Sequence, residues 1–225
     1  MAKPDYVPTP AVGRLSLYLR ELETLFRQER QTISSRQLGQ ALGLTDAQVR
    51  KDLAYFGQFG HPGIGYRVHE LIARIRGILG TDRGWNALLV GAGNLGRALL
   101  SYRGFAQKGF QVVAVFDNDL SKIGKPLDRE SRMEILAAER MGQVIRDLNV
   151  QIGIIAVPAE AAQGIADALV IAGIKGILNF APASLSVPEA VALATVDLAL
   201  CLEQLVFRVN TQQVAASVRK ADADS

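Results

Sequence analysis

The sequence predicts an α/β protein in two parts: an N-terminal winged helix-turn-helix domain over residues 1–80 and a Rossmann-like, doubly wound parallel sheet over residues 81–225. Three observations predict it. Two helix-start signatures, Ser34 with Gln37 and Thr45 with Gln48, flank Gly43, the pattern of two short helices joined by a glycine turn. The stretch "NALLVGAGNLG" sets glycines 91, 93 and 96 directly behind an apolar run of strand length. Strand-like apolar runs then alternate with helical patterns to about residue 200, the order that builds a parallel sheet.

The elements follow in order. "GRLSLYLRELETLFRQE" (13–29) puts Leu15, Leu19, Leu22, Leu25 and Phe26 on one helical face. The helix opened by Ser34 ends at Gly43, and Thr45 starts the next one about two residues later. In that second helix Val49, Leu53 and Phe56 face inward, and Gln48, Arg50, Lys51 and Tyr55 are the candidates for reaching DNA. A recognition helix lays its N-terminal residues in the major groove, where Arg forks onto guanine, Gln onto adenine, and Lys meets phosphate or guanine. The bland alternative is a solvated helix face. "GQFGHPGIGYRV" (57–68) has four glycines and then a short apolar-aromatic strand. A glycine-rich hairpin here is a wing, with His61 and Arg67 placed to touch backbone or minor groove, or else simple loop residues. "ELIARIRGILGTDRGW" (70–85) opens as an amphipathic helix and closes on a hinge-like "GTDRG".

The second part begins with "NALLV" (86–90) as a buried strand, then "GAGNLG", then "RALLSYRGFAQKG" as a helix stopped by Gly109. "QVVAVF" (111–116) is the next strand and ends at Asp117, which lies 21 residues after Gly96. Gly91 permits the tight turn, Gly93 lets backbone approach a pyrophosphate, and Gly96 lets helix pack on strand. Ala92, Asn94 and Leu95 complete a loop and helix N-terminus whose free N–H groups and dipole suit phosphate. Asp117 is expected to accept both ribose hydroxyls and to repel a 2′-phosphate, which favours NAD(H) over NADP(H). The alternative is a sheet that has lost its ligand or takes another nucleotide, such as coenzyme A.

"ILAAERMGQVIRDLN" (135–149) reads as largely helical, "VQIGIIAVP" (150–158) as a strand, and "AEAAQGIADALVIAG" (159–173) as a helix stopped by Gly173. "IKGILNF" (174–180) is a further strand, and "AVALATVDLAL" (190–200) begins with another. Ligands of such sheets lie outside the carboxyl ends of the strands. Ala156, Val157 and Pro158, and the loop Asn179, Phe180, Ala181 and Pro182, therefore border the nicotinamide end. These loops are apolar, and desolvating the cationic oxidised ring costs more than desolvating the neutral reduced one. No catalytic residue is expected. Both histidines, His61 and His69, precede this part, and the nearest acid/base candidates are Tyr102, on the first helix, and Lys175, at the far end of a strand. A bound dinucleotide would then be a signal and not a co-substrate, with an NAD-dependent oxidoreductase as the alternative.

Composition agrees. Of 225 residues, 49% are hydrophobic and 21% charged, as in ordinary globular proteins. Residues 1–83 hold 12 Lys and Arg against 8 Asp and Glu, a net of +4, whereas residues 84–225 hold 13 against 14, a net of −1. The front third is the part suited to a polyanion. No apolar run reaches the ~18 residues of a membrane span, and the N-terminus lacks a signal-type apolar segment. One cysteine, Cys201, excludes an internal disulfide and fits a reducing cytoplasm; its apolar surroundings read as core. No metal site is expected.

"QVRKDLAYFGQFGHPGIGYRV" followed by "LLVGAGNLGRALL", "IIAVPAEAAQ" and "GILNFAP" resembles the Rex family of redox-sensing transcriptional repressors, in motif order and over about residues 8–215. The resemblance implies a homodimer whose winged-helix domains bind palindromic double-stranded operator DNA. It implies Rossmann-like domains that sense the NADH/NAD+ ratio and release DNA when NADH binds. It also implies that a C-terminal helix, about Leu198 to Val218, is exchanged between subunits through Leu202, Leu205, Val206 and Val209. Arg50 and Lys51 match the family's recognition-helix "RKD"; Gly91, Gly93, Gly96 and Asp117 match its phosphate loop and ribose acid. Tyr102 and Asp197 match positions of a conformation-dependent contact between subunits. One departure is "HPG", where Pro62 stands in place of the family's basic wing residue.

Overall fold

The computed structural model describes residues 8–60, 63–127 and 133–223. The chain divides into two compact units, one ending at Gly84 and the other starting at Trp85.

The first unit contains α1 (Thr9–Arg27), β1 (Thr32–Ile33), α2 (Ser35–Leu42), α3 (Asp46–Ala54), β2 (Tyr66–Arg67) and α4 (Val68–Leu79). Its core gathers Leu15, Tyr18 and Leu22 of α1, Leu38 of α2, Val49 and Leu53 of α3, and Val68, Leu71, Ile72 and Ile75 of α4. The α4 residues recur at i, i+3, i+4 and i+7, which puts them on one stripe. Ser34 and Gln37 form a complete capping box, and Gly43, in the left-handed conformation, ends α2. Phe26, expected on the buried face of α1, is 58% exposed. The buried face runs through Ala11, Leu15, Tyr18 and Leu22, and in the last turn Leu25 rather than Phe26 packs against the core.

The wing also differs from the expected hairpin. β2 pairs antiparallel with β1, Thr32 opposite Arg67 and Ile33 opposite Tyr66. The partner of the strand after the glycine segment is thus a strand before the helix-turn-helix. A two-residue strand carries too little period-2 pattern to be read from sequence.

In the second unit six parallel strands run in the order β5-β4-β3-β6-β7-β8: β3 (Trp85–Val90), β4 (Phe110–Asp117), β5 (Ile135–Ala137), β6 (Ile152–Ile155), β7 (Gly176–Asn179) and β8 (Ala192–Thr195). This is the doubly wound order, with its switch point between β3 and β6. Helices are α5 (Asn94–Ser101), α6 (Gly104–Gln107), α7 (Met141–Asp147), α8 (Ala159–Ile171) and α9 (Leu198–Ala223). Successive residues of β3 serve opposite faces. Leu88 and Val90 pack with Val144 of α7 and Leu169 of α8, whereas Ala87 and Leu89 pack with Leu99 of α5 and Phe105 of α6.

Two expected helices are revised. The helix after the glycine loop breaks at Tyr102, which is extended (φ −75°, ψ 100°) and so caps α5 without lying on it. Ser101 Oγ donates to the carbonyls of Arg97 and Ala98, and the Tyr102 ring lies where a side chain on Gly104 would stand. Residues 135–149 begin as a strand, β5, paired with Val115–Asp117 of β4, and only then turn helical. The three-residue strand sits among helix formers, so its apolar residues read as helix. Cys201, expected in the core, is exposed, because α9 is exposed along 198–212.

Candidate functional site

At the carboxyl end of β3 the three loop glycines do different work. Gly91 has φ +104°, and a Cβ there would strike the Ala156 carbonyl oxygen on β6's loop. A Cβ on Gly96 would strike the carbonyl oxygen of Gly91, so α5 rests directly on the turn. Gly93 is unlike both. Its backbone (φ −77°, ψ −168°) suits any residue, and a Cβ would meet nothing within 4 Å. The fold therefore needs Gly91 and Gly96, and it leaves clear space at Gly93. That space lies at the N-cap of α5, where no side chain caps the helix and the first-turn N–H groups, those of Asn94 and Leu95 included, lack intrahelical partners. A cradle of this kind fits a pyrophosphate.

Asp117, at the end of β4, is 7% exposed. Its Oδ2 accepts the Ala92 N–H (2.9 Å) and the Lys122 ammonium (3.0 Å), and its Oδ1 accepts the Asp119 N–H (2.9 Å). Burial pushes this carboxyl up, but the hydrogen bonds from Asp119, Ala92 and Lys122 outweigh it and hold the group below its usual range. A carboxylate offers about four acceptor positions. With three filled, about one is left for a ribose hydroxyl, not the two expected from sequence. Asp117 is first a brace for the glycine loop.

The loops after β6 and β7 flank the switch point. The Ala156 N–H donates to Val90 O (2.8 Å) and the Phe180 N–H to Ile155 O (2.8 Å). Ala156, Val157 and Phe180 are half-buried, Ala181 is buried, and Pro158 and Pro182 are exposed. Asn179, which the sequence marked only as a loop border, is fully buried. Its amide donates to Ala181 O (3.1 Å) and Ala183 O (3.0 Å) and accepts from Ala181 N–H (2.9 Å). A polar residue closing the apolar run "GIL" was the available signal. Tyr102 is 61% exposed and meets Phe105 edge-on at 5.2 Å. Asp197 starts α9, its Oδ1 accepting from the Ala199 (2.9 Å) and Leu200 (3.0 Å) N–H groups.

In the first unit α3 presents Arg50 and Lys51 to solvent, with Tyr55 half-buried. Arg50 lies 2.7 Å from Asp46 and donates to Ser35 Oγ at 3.1 Å; Arg67 pairs with Glu70 at 3.2 Å. Both are exposed pairs of the weak kind that a phosphate can displace. Gln48 is different. The Thr45 hydroxyl accepts its N–H at 3.1 Å, but its side-chain amide does not return to complete a capping box. It donates to Asp52 Oδ1 at 2.7 Å. The fully buried Asp52 also accepts from Nε and Nη2 of Arg14 (2.5 and 2.8 Å) and from the Tyr18 hydroxyl (2.7 Å). Gln48 thus supports, from within α3, the carboxylate that ties α3 to α1, so one N–H of the amide expected to reach adenine is engaged inside the unit. His61 and Pro62 lie outside the described residues.

A third surface lies on the sheet. The face that carries α5 is open over β6, β7 and β8, where an apolar cavity of about 310 Å³ is lined by Val112, Ile152, Ile154, Leu178 and Leu193 among others. On α9, Leu202, Leu205, Val206 and Val209 are 63%, 54%, 57% and 43% exposed. Among the described residues no group of three or more His, Cys, Asp or Glu is placed to hold a metal ion, and no helix is long and apolar enough to cross a membrane.

A family model described as "CoA binding domain" matches residues 82–183, and one described as "Putative DNA-binding protein N-terminus" matches residues 6–54. A protein of Carboxydothermus hydrogenoformans named redox-sensing transcriptional repressor Rex is 52% identical over 91% of this chain and 97% of its own. Its namesake from Desulforamulus reducens is 50% identical over 92% and 97%. The crystal structure of RSP in complex with β-NAD+ and operator DNA superposes with a TM-score of 0.87, 37% identity, and coverage of 95% of this chain and 97% of that one. For RSP in complex with β-NADH the values are 0.83, 35%, 94% and 98%.

Proposed function

The chain belongs to the Rex family of redox-sensing transcriptional repressors, and we propose on that premise that it binds a palindromic operator as a homodimer and releases it when NADH binds. Residues 1–80 carry the DNA contacts and residues 81–225 carry NAD(H) binding and dimerisation. The observation that carries the reading is Gly93: a glycine the fold does not require, at a helix N-terminus and beside the switch point of a six-stranded parallel sheet.

Gly91 to Gly96 would hold the pyrophosphate through backbone N–H groups. Asp117 would take one ribose hydroxyl. Ala156, Val157, Pro158, Phe180, Ala181 and Pro182 would border the nicotinamide, and their apolar character favours the neutral reduced ring. The same apolar border, with no acid/base side chain in it, supports a regulator rather than an enzyme. The reading places the protein in the cytoplasm, where its operator lies. Tyr102 and Asp197 carry the contact between subunits that differs between the two states. The match of residues 82–183 to a CoA-binding model supports a second reading, coenzyme A as the ligand; tighter binding of coenzyme A than of NADH would select it.

Release of DNA requires NADH to prefer the quaternary state that DNA does not. Coupling of ~1–3 kcal/mol, or ~5–150-fold, is usual, and it is reciprocal. Operator DNA is therefore expected to weaken NADH binding by the same factor by which NADH weakens operator binding. Two calorimetric titrations check this, and an NADH affinity indifferent to DNA contradicts it.

Lys51 and Arg50 would meet DNA from α3, Arg50 by exchanging Asp46 and Ser35 for the duplex, with Tyr55 and Arg67 beside them. Lys51→Ala is expected to weaken binding to all duplexes and to lower the log–log salt slope by about 1, with NADH binding untouched. An unchanged slope removes Lys51 from the interface.

Dimerisation would cover the open sheet face with α9 of a second copy. This supplies the apolar partner that the cavity over Ile154, Leu178 and Leu193 and the exposed face of α9 both lack among the described residues. Val206→Asp places an unpaired charge in that contact, which costs several kcal/mol. Sedimentation is expected to show monomer, and affinity for a palindrome should fall to that for a half-site. A variant that sediments as a dimer contradicts the assignment.

A further inference from the structure

Asp117 does not act alone at the end of β4. Lys122 Nζ lies 3.0 Å from Asp117 Oδ2 and 3.6 Å from Asp119 Oδ2. The turn that brings it back is itself held, the Lys122 N–H donating to Asp119 O at 2.9 Å and the Ser121 N–H to Asp119 Oδ1 at 2.9 Å. Of the three side chains Asp117 is the buried one, at 7% exposure, while Lys122 and Asp119 are 33% and 41% exposed.

We propose that Lys122 sets how strongly this site rejects a phosphate on the adenosine ribose. The inference rests on the NAD(H) reading above. An acid at the end of the second strand is held to exclude a ribose phosphate by its charge. Here that acid is paired with an ammonium at hydrogen-bonding distance, and the ammonium is the more accessible partner. The trio of Asp117, Asp119 and Lys122 carries a net charge of −1, and without the lysine it carries −2. An incoming ribose phosphate is itself an anion, so it gains most from the lysine. A ribose hydroxyl, being neutral, gains little. The phosphate can come from two sources, the 2′-phosphate of NADPH or the 3′-phosphate of coenzyme A.

The full chain, Lys122→Met and Lys122→Arg are titrated with NADH, NADPH and coenzyme A. Lys122→Met is expected to weaken NADPH on the order of tenfold more than NADH, as removal of one partly screened charge a few ångströms away implies, while Lys122→Arg keeps the parent ratio. A matching loss for coenzyme A extends the effect to the 3′ position; a loss for NADPH alone confines it to the 2′ position. Equal weakening of NADH and NADPH in Lys122→Met overturns the proposal, because the lysine then only braces Asp117 and the loop. If the parent chain binds none of the nicotinamide nucleotides, the NAD(H) reading itself falls, a result distinct from an unchanged ratio.

Discussion

Gly93→Val is expected to give a folded repressor that NADH no longer removes from DNA. The backbone at Gly93 (φ −77°, ψ −168°) accepts valine without strain, and the first added carbon meets no atom within 4 Å. Loss of a good N-cap residue costs about 1 kcal/mol. The side chain fills the cradle and displaces the pyrophosphate from the α5 N–H groups. Two charge-assisted hydrogen bonds at about 1.5–3 kcal/mol each correspond to at least about 100-fold in NADH affinity. Operator affinity stays at the parent value. Gly96→Val is the contrast: its side chain would run into the Gly91 carbonyl oxygen, so it should lose structure as well as ligand. Calorimetry with NADH, beside a thermal melt, separates the two. A Gly93→Val protein that binds NADH as the parent does contradicts the placement of the loop.

Asp52→Ala is expected to have the largest effect on the first unit. It strips the Arg14 guanidinium, the Tyr18 hydroxyl and the Gln48 amide of their shared acceptor. Breaking a buried pair by removing one partner costs about 3–5 kcal/mol, and partial exposure of Arg14, 25%, sets the value near the lower end. A loss of about 3 kcal/mol lowers the melting temperature of a domain this size by roughly 12–24 °C. DNA affinity should fall with it, since α3 is held on α1 through this carboxylate.

The acid dependence follows with its sign. Burial pushes the Asp52 carboxyl up, but the bonds from Arg14, Tyr18 and Gln48 together hold it below the ordinary value. A depressed folded value means the stabilisation is complete above the unfolded value of about 3.9 and is lost as pH falls through the folded one. The melting temperature of the parent chain is thus steady from neutral pH to about pH 5 and drops below about pH 4. Asp52→Ala is low already at neutral pH and loses part of the acid drop. An Asp52→Ala protein as stable as its parent would leave the network without a structural role.

What could be read from sequence was what rests on local chemistry. Capping at Ser34, the left-handed stop at Gly43, the glycine loop and the apolar strands β3, β4, β6 and β7 all announce themselves over a few residues. What could not be read depends on distant partners. β1 and β5 are strands of two and three residues defined by the strands they pair with. Cys201 and Phe26 sit on apolar stripes whose covering surface is not in the same element. At the site, residue types were legible but their commitments were not. Gln48 looked free to read a base and is bound to Asp52 four residues on. Asp117 looked free for a ribose and already takes three donors, one of them from Lys122. Asn179 was visible only as the end of a strand, and its three hydrogen bonds to Ala181 and Ala183 hold the loop after β7.

Fluorescence anisotropy of a labelled palindromic duplex of the family's operator type, at one fixed salt concentration, tests the central claim most directly. The protein is titrated to saturation, and NADH or NAD+ is then added. The account predicts tight binding that NADH reverses, by ~5–150-fold in affinity, and that NAD+ leaves in place. Binding unmoved by either nucleotide would contradict it, and would leave a DNA-binding protein whose glycine loop serves some other ligand.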